Sequence, residues 1–400
     1  MKSLVRTQLS VMMLLEYFIW GAWYVTLGSY MQGEPLNASG TQIGAAYGAL
    51  AIATIISPFF IGMVADRFFA AQSIMGLLHL IGAALLFLAT QVTDNTAFYW
   101  VVLFYSMLYM PTIALSNSIA FAQMSDAGTQ FPWIRVFGTV GWILAGQLIS
   151  FLDIDTSAAT FYMASIASAL LGIISFTLPN TPPKGKGKKT SFAAAMGLEG
   201  FVLFKDRSYS VFFISAILIC IPLSFYYSFA NVYLNDAGMT NATAKMTLGQ
   251  VSEALFILAI PFMFYKTGVK NMLLIGIVAW TLRYVFFGFG NNDANLWMLY
   301  AGIILHGVCY DFFFVTGYMY TEKKAGEKIK NAAQGLFTLA SYGIGMVIGT
   351  YLSGLVVDHY TANGLRDWMS IWMIPTYISV GVLVYFVLLF KEKKEIQTVS

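Results

Sequence analysis

Five charged side chains lie inside long apolar stretches of this chain: Glu16, Arg135, Glu253, Arg283 and Asp311. Almost every other charged residue lies in a short polar connection between such stretches. A charge within hydrocarbon costs roughly 2.5–3.5 kcal/mol on insertion scales, so a charge that is kept there is a candidate functional group. These five residues are therefore the first candidates for binding a polar ligand or a proton.

The fifth apolar stretch, residues 133–152, carries three side chains that suit a polar ligand with a flat ring. Arg135, Thr139 and Trp142 are spaced i, i+4 and i+7, so they share one face of a helix. That face offers a guanidinium group, a hydroxyl and a large ring. The alternative is that Arg135 extends to the cytoplasmic edge of the membrane while Trp142 packs against lipid.

The eighth stretch places an amide and a carboxyl on one helix face, since Gln250 and Glu253 are spaced i, i+3. Together these groups can bind ribose hydroxyls or the edge of a base. The Glu253 carboxyl could also take up a proton. The alternative is a polar pair that serves only helix packing.

Asp311 lies in the middle of the tenth stretch with no basic residue within one turn, and His306 precedes it by about a turn and a half. We expect such an acid to be protonated part of the time, or paired with a cation from another helix. Arg135 is one candidate partner. A pair that forms and breaks would couple protonation to gating; a permanent structural ion pair is the alternative.

Two further charges have open assignments. Glu16 precedes a run of aromatic residues, and proton or ligand binding and structural hydrogen bonding are both compatible with its position. For Arg283 the sequence favours a helix-pairing or membrane-edge role. Among the many aromatic rings, those nearest the polar faces could stack on a flat ligand: Trp142, Tyr227 and Tyr310.

The composition indicates a membrane protein, because 58% of the chain is hydrophobic and 10% is charged, against about 25% charged in soluble domains. The apolar runs are continuous, which disfavours a β-barrel. At about 20 residues for each helical span, the chain is predicted to be an all-α integral membrane protein with twelve spans: 10–31, 42–63, 71–91, 97–120, 133–152, 159–179, 209–234, 246–265, 272–289, 296–320, 331–356 and 368–390.

The basic residues predict the orientation. With the N-terminus in the cytoplasm, eighteen of the 22 lysines and arginines fall in inner segments, and only Lys245 and Arg366 fall in outer ones. Both termini are therefore predicted to be cytoplasmic. A basic, proline- and glycine-containing linker divides the chain into a six-helix bundle at 1–180, a linker at 181–204 and a second bundle at 205–400. Residues 191–204 are predicted to form an amphipathic surface helix. Two similar halves around a midplane site are a recurring transporter plan.

Several classes of protein are disfavoured. The sequence has no phosphate-binding loop, no zinc-ligand spacing and no nucleophile elbow, so an ATP-driven pump and an enzyme are poor interpretations. A channel is disfavoured because no filter sequence repeats. No cofactor or metal is expected, and Cys220 and Cys309 are interpreted as apolar packing residues. The net charge of +3 reflects where the lysines lie and does not indicate nucleic-acid binding.

Several segments resemble the bacterial nucleoside:proton symporters of the major facilitator superfamily: WGAWYVTLGSYM at 20–31, YMPT at 109–112, FPWIRVFGT at 131–139, SEALFIL at 252–258, AWTLR at 279–283, DFF at 311–313 and AQG at 333–335. The loop with Asp66 and Arg67 is similar to a truncated form of the superfamily's loop signature. The resemblance implies a twelve-helix, two-bundle carrier of the bacterial inner membrane that imports nucleosides with protons by alternating access.

The resemblance also assigns candidate sites. The family's ligand contacts fall on Arg135, Thr139, Gln250, Glu253 and Asp311, and its aromatic position falls on Trp142. The chain departs from better-known members at four positions, which hold Ser224, Tyr227, His306 and Tyr310.

The expected ligand set is therefore Arg135, Thr139, Trp142, Tyr227, Gln250, Glu253, His306, Tyr310 and Asp311. For proton coupling we expect Asp311 first, then Glu253 and Glu16. The partners would be a nucleoside, protons and membrane lipid, and a monomer is compatible with the sequence. A proton-linked sugar or metabolite carrier and a transporter-fold receptor are the alternatives.

Overall fold

The computed structural model describes residues 2–60, 69–183 and 198–391. These residues fold almost entirely into helices: α1 Ser3–Tyr24, α2 Leu27–Gln32, α3 Gly40–Phe60, α4 Ala71–Ala89, α5 Asn95–Ala122, α6 Ala127–Phe151, α7 Ala159–Ser175, α8 Arg207–Asp236, α9 Ala242–Met246, α10 Leu248–Phe289, α11 Leu296–Tyr310, α12 Thr316–Thr338, α13 Met346–His359 and α14 Trp368–Leu389. Two π-helical turns, Asp311–Val315 and Leu339–Gly345, follow α11 and α12, and a 3₁₀ helix, Leu198–Lys205, precedes α8. Two two-residue strands, Thr361–Ala362 and Leu365–Arg366, pair before α14.

The predicted all-helical membrane architecture is confirmed in its coarse form. Among the described residues, ten helical stretches are long and apolar enough to cross a membrane, and two shorter apolar helices are Gly40–Ile56 and Ala159–Ser175. The loop with Asp66 and Arg67 lies outside the described residues, as does most of the segment expected to be an amphipathic helix. Its described end, Leu198–Lys205, is a 3₁₀ helix.

At two points in the chain, a glycine and no regular loop separates two neighbouring predicted spans. Helix α10 runs through two predicted spans, and it is broken at Gly268, whose φ of 75° is left-handed. The break in α12 is at Gly326, with a φ of 64°. Glycine adopts such angles readily because it has no Cβ.

Two large clusters of buried apolar side chains form the interior. The first comes from α1–α7 with three additions, Phe229, Val357 and Ile371. The second comes from the chain after residue 200, with Ala51 as its addition from α3. Cys220 and Cys309 are buried free thiols in this second part of the chain.

The contact between α1 and α6 depends on a missing side chain at Gly141. A Cβ atom there would lie 2.1 Å from the backbone oxygen of Leu14, so the Gly141→Ala protein must separate the two helices. We expect it to lose about 1–3 kcal/mol of stability, as overpacked cores do, and to melt at a lower temperature in detergent. Gly381→Ala is the matched control, because nothing lies within 4 Å of a Cβ at that helical position. Equal melting temperatures for the two variants would contradict the close contact.

Candidate ligand-binding cavity

A hollow lies between the two parts of the chain where α1 and α6 face α8, α9 and α10. Its empty space is about 400 Å³ when the open solvent at its mouth is included. Its cavity volume is only about 20 Å³, room for about one water molecule. The lining residues are Gly21, Tyr24, Val25, Trp142, Gly146, Tyr226, Tyr227, Thr243, Met246, Thr247 and Gln250.

The predicted face of α6 lies against α1. The guanidinium carbon of Arg135 is 4.0 Å from the centre of the Tyr17 ring, a cation–π contact. Gly138 leaves room for it, because a Cβ there would be 2.6 Å from Arg135 Nη1. One turn further on, the Trp142 ring meets Trp20 edge to face at 5.5 Å between centroids. Arg135 is half-buried within the span and contacts a neighbouring helix.

A chain of polar groups on α10 and α11 connects Arg283, His306 and Glu253. Arg283 is fully buried and its Nη1 lies 2.9 Å from His306 Nδ1. Nε2 of His306 lies 4.0 Å from Glu253 Oε2. The Tyr226 ring packs on both basic side chains, 3.4 Å from the Arg283 guanidinium carbon and 5.2 Å from the His306 ring centre. The sequence favoured a helix-pairing or membrane-edge role for Arg283, and in the structure Arg283 pairs α10 with α11.

The arginine determines which nitrogen of His306 carries hydrogen. A guanidinium has only donors, so Nδ1 must accept and the hydrogen of the neutral ring is on Nε2, directed towards Glu253. Close packing holds this geometry, since a Cβ on Gly307 would be 2.4 Å from the Glu253 backbone nitrogen. The Gly307 N–H also donates to Ser252 Oγ at 3.1 Å.

Asp311 is fully buried at the start of the π-helical turn Asp311–Val315. Within the described part of the chain, neither of its carboxyl oxygens has a hydrogen-bond partner. The candidate pairing with Arg135 is therefore absent in this conformation. A buried charge without a partner is costly, so this environment accommodates the neutral acid. Single π-turns within helices are frequent at functional sites.

Apart from Asp311, the predicted ligand residues fall into three groups in the structure. Trp142, Tyr227 and Gln250 line the hollow. Arg135 and Thr139 lie on the same face of α6 as Trp142 but do not line the hollow. Glu253 lies one turn from Gln250, next to His306, and the Tyr310 ring is 5.7 Å from the His306 ring, with its hydroxyl accepting from Tyr342 at 2.6 Å.

Several lining residues were not predicted from the sequence. Tyr24 follows Trp20 at i+4 on α1, a spacing that would have indicated the same face. Tyr226 precedes Tyr227, and on an ordinary helix only one of two adjacent residues is expected to face a given cavity. No sequence pattern singled out Thr243 and Thr247, because isolated threonines are common in apolar helices.

Glu16 is not at the hollow. It is fully buried on a different face of α1, with Oε2 2.9 Å from His79 Nε2 and Oε1 2.6 Å from the Thr112 hydroxyl. His79, interpreted from the sequence as a packing residue, is therefore the principal partner of Glu16.

Hydrogen bonds between the two parts of the chain cluster at one end of the molecule. Asp358 accepts from the backbone N–H of Gly40 and of Thr41. Ser29 Oγ donates to Asn231 Oδ1 at 2.6 Å, and Asp155 accepts from the N–H and hydroxyl of Thr243. This end holds the start of α3 and the ends of α6, α8 and α13, and the hollow lies below it.

Long apolar helices, a hollow between two parts of the chain and buried charges beside it are the features of a membrane transporter. The sequence matches the family described as nucleoside H+ symporter over residues 3–395, and the chain belongs to that family. The resemblance found in the sequence is confirmed.

Relatives of similar length support this assignment. The chain is 42% identical to the putative nucleoside transporter YegT of Escherichia coli K12, over 96% of this chain and 93% of that protein. It is 38% identical to the xanthosine permease of the same organism, over 97% and 96%. The crystal structure of the nucleoside transporter NupG superimposes with a TM-score of 0.89 at 35% identity, covering 97% of this chain and all of that one.

Proposed function

We propose that the protein imports nucleosides together with protons by alternating access. The observation that carries the proposal is the match to nucleoside H+ symporters along residues 3–395. The hollow is consistent with it, because its walls come from both parts of the chain and it offers rings, hydroxyls and an amide.

The proposed architecture has twelve spans in two bundles, 1–180 and 205–400, joined by a linker at 181–204. Ten long apolar helices and two shorter ones among the described residues support this number, and the two apolar clusters support the division. The excess of lysine and arginine on one side supports cytoplasmic termini in a bacterial inner membrane. With that orientation, the hydrogen-bonded end is the outer end, and its closure is consistent with a conformation that faces the cytoplasm.

In this proposal the ligand is held by both bundles. Arg135, Thr139 and Gln250 orient it by hydrogen bonds, and Glu253 with His306 binds the ribose or a proton. Trp142, Tyr227 and Tyr310 supply rings for a flat base. Asp311 is the proposed titrating group, because neutralising it lowers the cost of an empty charged cavity and allows the bundles to move past each other.

Uptake by proteoliposomes tests this function. We expect labelled uridine or adenosine to accumulate when an inward pH gradient is imposed, and accumulation to stop when a protonophore dissipates it. Nucleosides, but not sucrose or maltose, should compete for uptake and raise the melting temperature of the purified protein. Uptake that ignores the gradient would contradict proton coupling, and stabilisation by sugars alone would favour the sugar-carrier alternative.

The proposed outer closure gives a separate prediction. Asp358 accepts hydrogen bonds at the N-terminus of α3, where the helix dipole favours a negative charge. In the Asp358→Ala protein this closure should weaken, and a cysteine placed at Met246 in the hollow should react faster with an impermeant thiol reagent added outside cells. The background carries Cys220→Ala and Cys309→Ala.

Asp94→Ala is the matched control, because Asp94 caps α5 within a single bundle by accepting from the Ala97 N–H. It should leave the reaction rate at Met246→Cys unchanged. Equal rates in the Asp358→Ala protein and the control would show that the Asp358 contacts do not hold the outer end closed.

A further inference from the structure

A second polar centre, separate from the hollow, is buried between α1, α4, α5 and α7. Its members are Glu16, His79, Thr112 and Ser168, which are 0%, 2%, 0% and 0% exposed. None of the four lines the hollow. A buried carboxyl beside a buried imidazole must share hydrogen in a definite way, and the surrounding partners allow that arrangement to be worked out.

Ser168 determines the state of one imidazole nitrogen. Its hydroxyl donates to the backbone oxygen of His79 at 2.9 Å, so its single hydrogen is used. The same oxygen is 3.2 Å from His79 Nδ1 and must accept there, which puts a hydrogen on Nδ1.

The contact between His79 Nε2 and Glu16 Oε2 at 2.9 Å needs a single hydrogen. If the hydrogen is on Nε2, an imidazolium faces a carboxylate. If it is on Oε2, a neutral imidazole faces a carboxylic acid. In both arrangements the pair has no net charge, which is the condition under which buried groups of this kind are tolerated.

Thr112 provides a place for one additional proton. Its hydroxyl oxygen is 2.6 Å from Glu16 Oε1 and also 2.6 Å from the backbone oxygen of Tyr109, yet it has only one hydrogen to donate. When that hydrogen goes to Tyr109, the Thr112 oxygen is free to accept from a protonated Oε1. The centre therefore has a second fully hydrogen-bonded state with every heavy atom in place, in which one proton more gives the pair a net charge of +1. This state costs more than the neutral one, so the additional proton can be released.

We propose that Glu16 and His79 form a proton-binding site of the first bundle, which takes up and releases one proton during the transport cycle. The proposal rests on the proposed function and adds to it a site distinct from Asp311. Among the described residues, the other titratable side chains that interact with Glu16 are Tyr17 on α1 and Tyr105 and Tyr109 on α5, and the nearby charge is Arg135 on α6, which interacts with Tyr17 and Tyr109.

Direct contacts connect this centre to the ligand-binding face of α6. The Tyr109 hydroxyl donates to the backbone oxygen of Glu16 at 2.6 Å. Tyr17, the next residue on α1, lies under the Arg135 guanidinium, and Trp20, one turn on, meets Trp142. A change of charge at Glu16 therefore acts on the helix that supports Arg135 and Trp142.

Infrared difference spectroscopy across a pH titration of the purified protein tests the proton site without any nucleoside. We expect a pH-dependent carboxyl band that is lost in Glu16→Gln and displaced in Thr112→Val, which removes the acceptor of the additional proton. Ser165→Ala is the matched control, because Ser165 joins α7 to α4 through the Ala83 backbone oxygen outside this centre. It should leave the band unchanged.

Flux measurements complete the test. Glu16→Gln should keep nucleoside exchange but move one proton fewer with each nucleoside than the unaltered protein. A Glu16→Gln protein that melts normally and keeps the full infrared titration and proton ratio would overturn the proposal. If the Glu16→Gln protein does not fold, the Thr112→Val protein decides, because a carboxyl band that is not displaced in its infrared spectrum would overturn the proposal. Failure of nucleoside uptake by the unaltered protein would instead refute the proposed function and leave the infrared result valid.

Discussion

Replacing Asp311 with asparagine should strongly reduce the accumulation of nucleoside against its gradient while leaving exchange of nucleoside across the membrane. The amide has nearly the same shape as the carboxyl but cannot take up a proton. Because neither oxygen of Asp311 has a partner among the described residues, the substitution removes no hydrogen bond and should not lower the melting temperature. We expect the concentration ratio across the membrane to fall towards one, because only the proposed Glu16–His79 site is then left to couple uptake to the proton gradient, and a carrier uncoupled from protons can only equilibrate its ligand.

The measurement compares gradient-driven uptake with counterflow into vesicles preloaded with unlabelled nucleoside. Asp153→Asn is the control, because Asp153 is an exposed residue with a left-handed backbone that asparagine also adopts. It should behave as the unaltered protein does. An Asp311→Asn protein that concentrates nucleoside as strongly as the unaltered protein when a pH gradient is imposed would remove Asp311 from the coupling mechanism.

Replacing Arg283 with methionine should produce the largest loss of apparent affinity. Methionine fills much of the space of the buried arginine but cannot donate to His306 Nδ1, so the ring is free to change tautomer or to protonate next to Glu253. Because Glu253 with His306 is proposed to bind the ligand, a misaligned ring should forfeit a hydrogen bond between the ligand and this charged pair. Such a bond is worth about 1.5–3 kcal/mol, so KM for nucleoside should rise roughly 10-fold to 100-fold.

A double-mutant cycle separates this role from simple packing. His306→Phe should raise KM by a similar factor, and adding Arg283→Met to it should have little further effect, because both act through one interaction. Arg366→Met is the control, since Arg366 forms its ion pair at 2.8 Å with Asp236, the last residue of α8, and not with His306. Effects of Arg283→Met and His306→Phe that simply add would show that the arginine does not act through the histidine.

The sequence predicts the helices of this protein well because hydropathy depends only on local composition. The same property made Glu16, Arg283 and Asp311 conspicuous, since each is a charge in an apolar run. Their partners are a different matter. His79 lies 63 positions from Glu16, and the contact depends on how α1 and α4 are rotated about their axes, which hydropathy does not determine.

For the candidate site as well, the sequence predicts which residues share a helix face but not which partners they contact. Periodicity placed Arg135, Thr139 and Trp142 on one helix face, and in the structure this face lies against α1 and reaches the hollow. The hydrogen bond between Arg283 and His306 could not be anticipated, because it depends on the register of α10 against α11. That register is set by close backbone contacts such as Gly307 on Ser252.

The hydrogen bonds that Asp358, Asn231 and Asp155 make across the outer end have a kinetic consequence for the proposed import cycle. Each bond contributes about 0.5–1.5 kcal/mol net, so breaking this set in an unloaded carrier is expensive. The slow step would then be the return of the empty protein to the outside. Nucleoside already inside the vesicle should relieve that delay by returning with the carrier, so preloading should accelerate the entry of label.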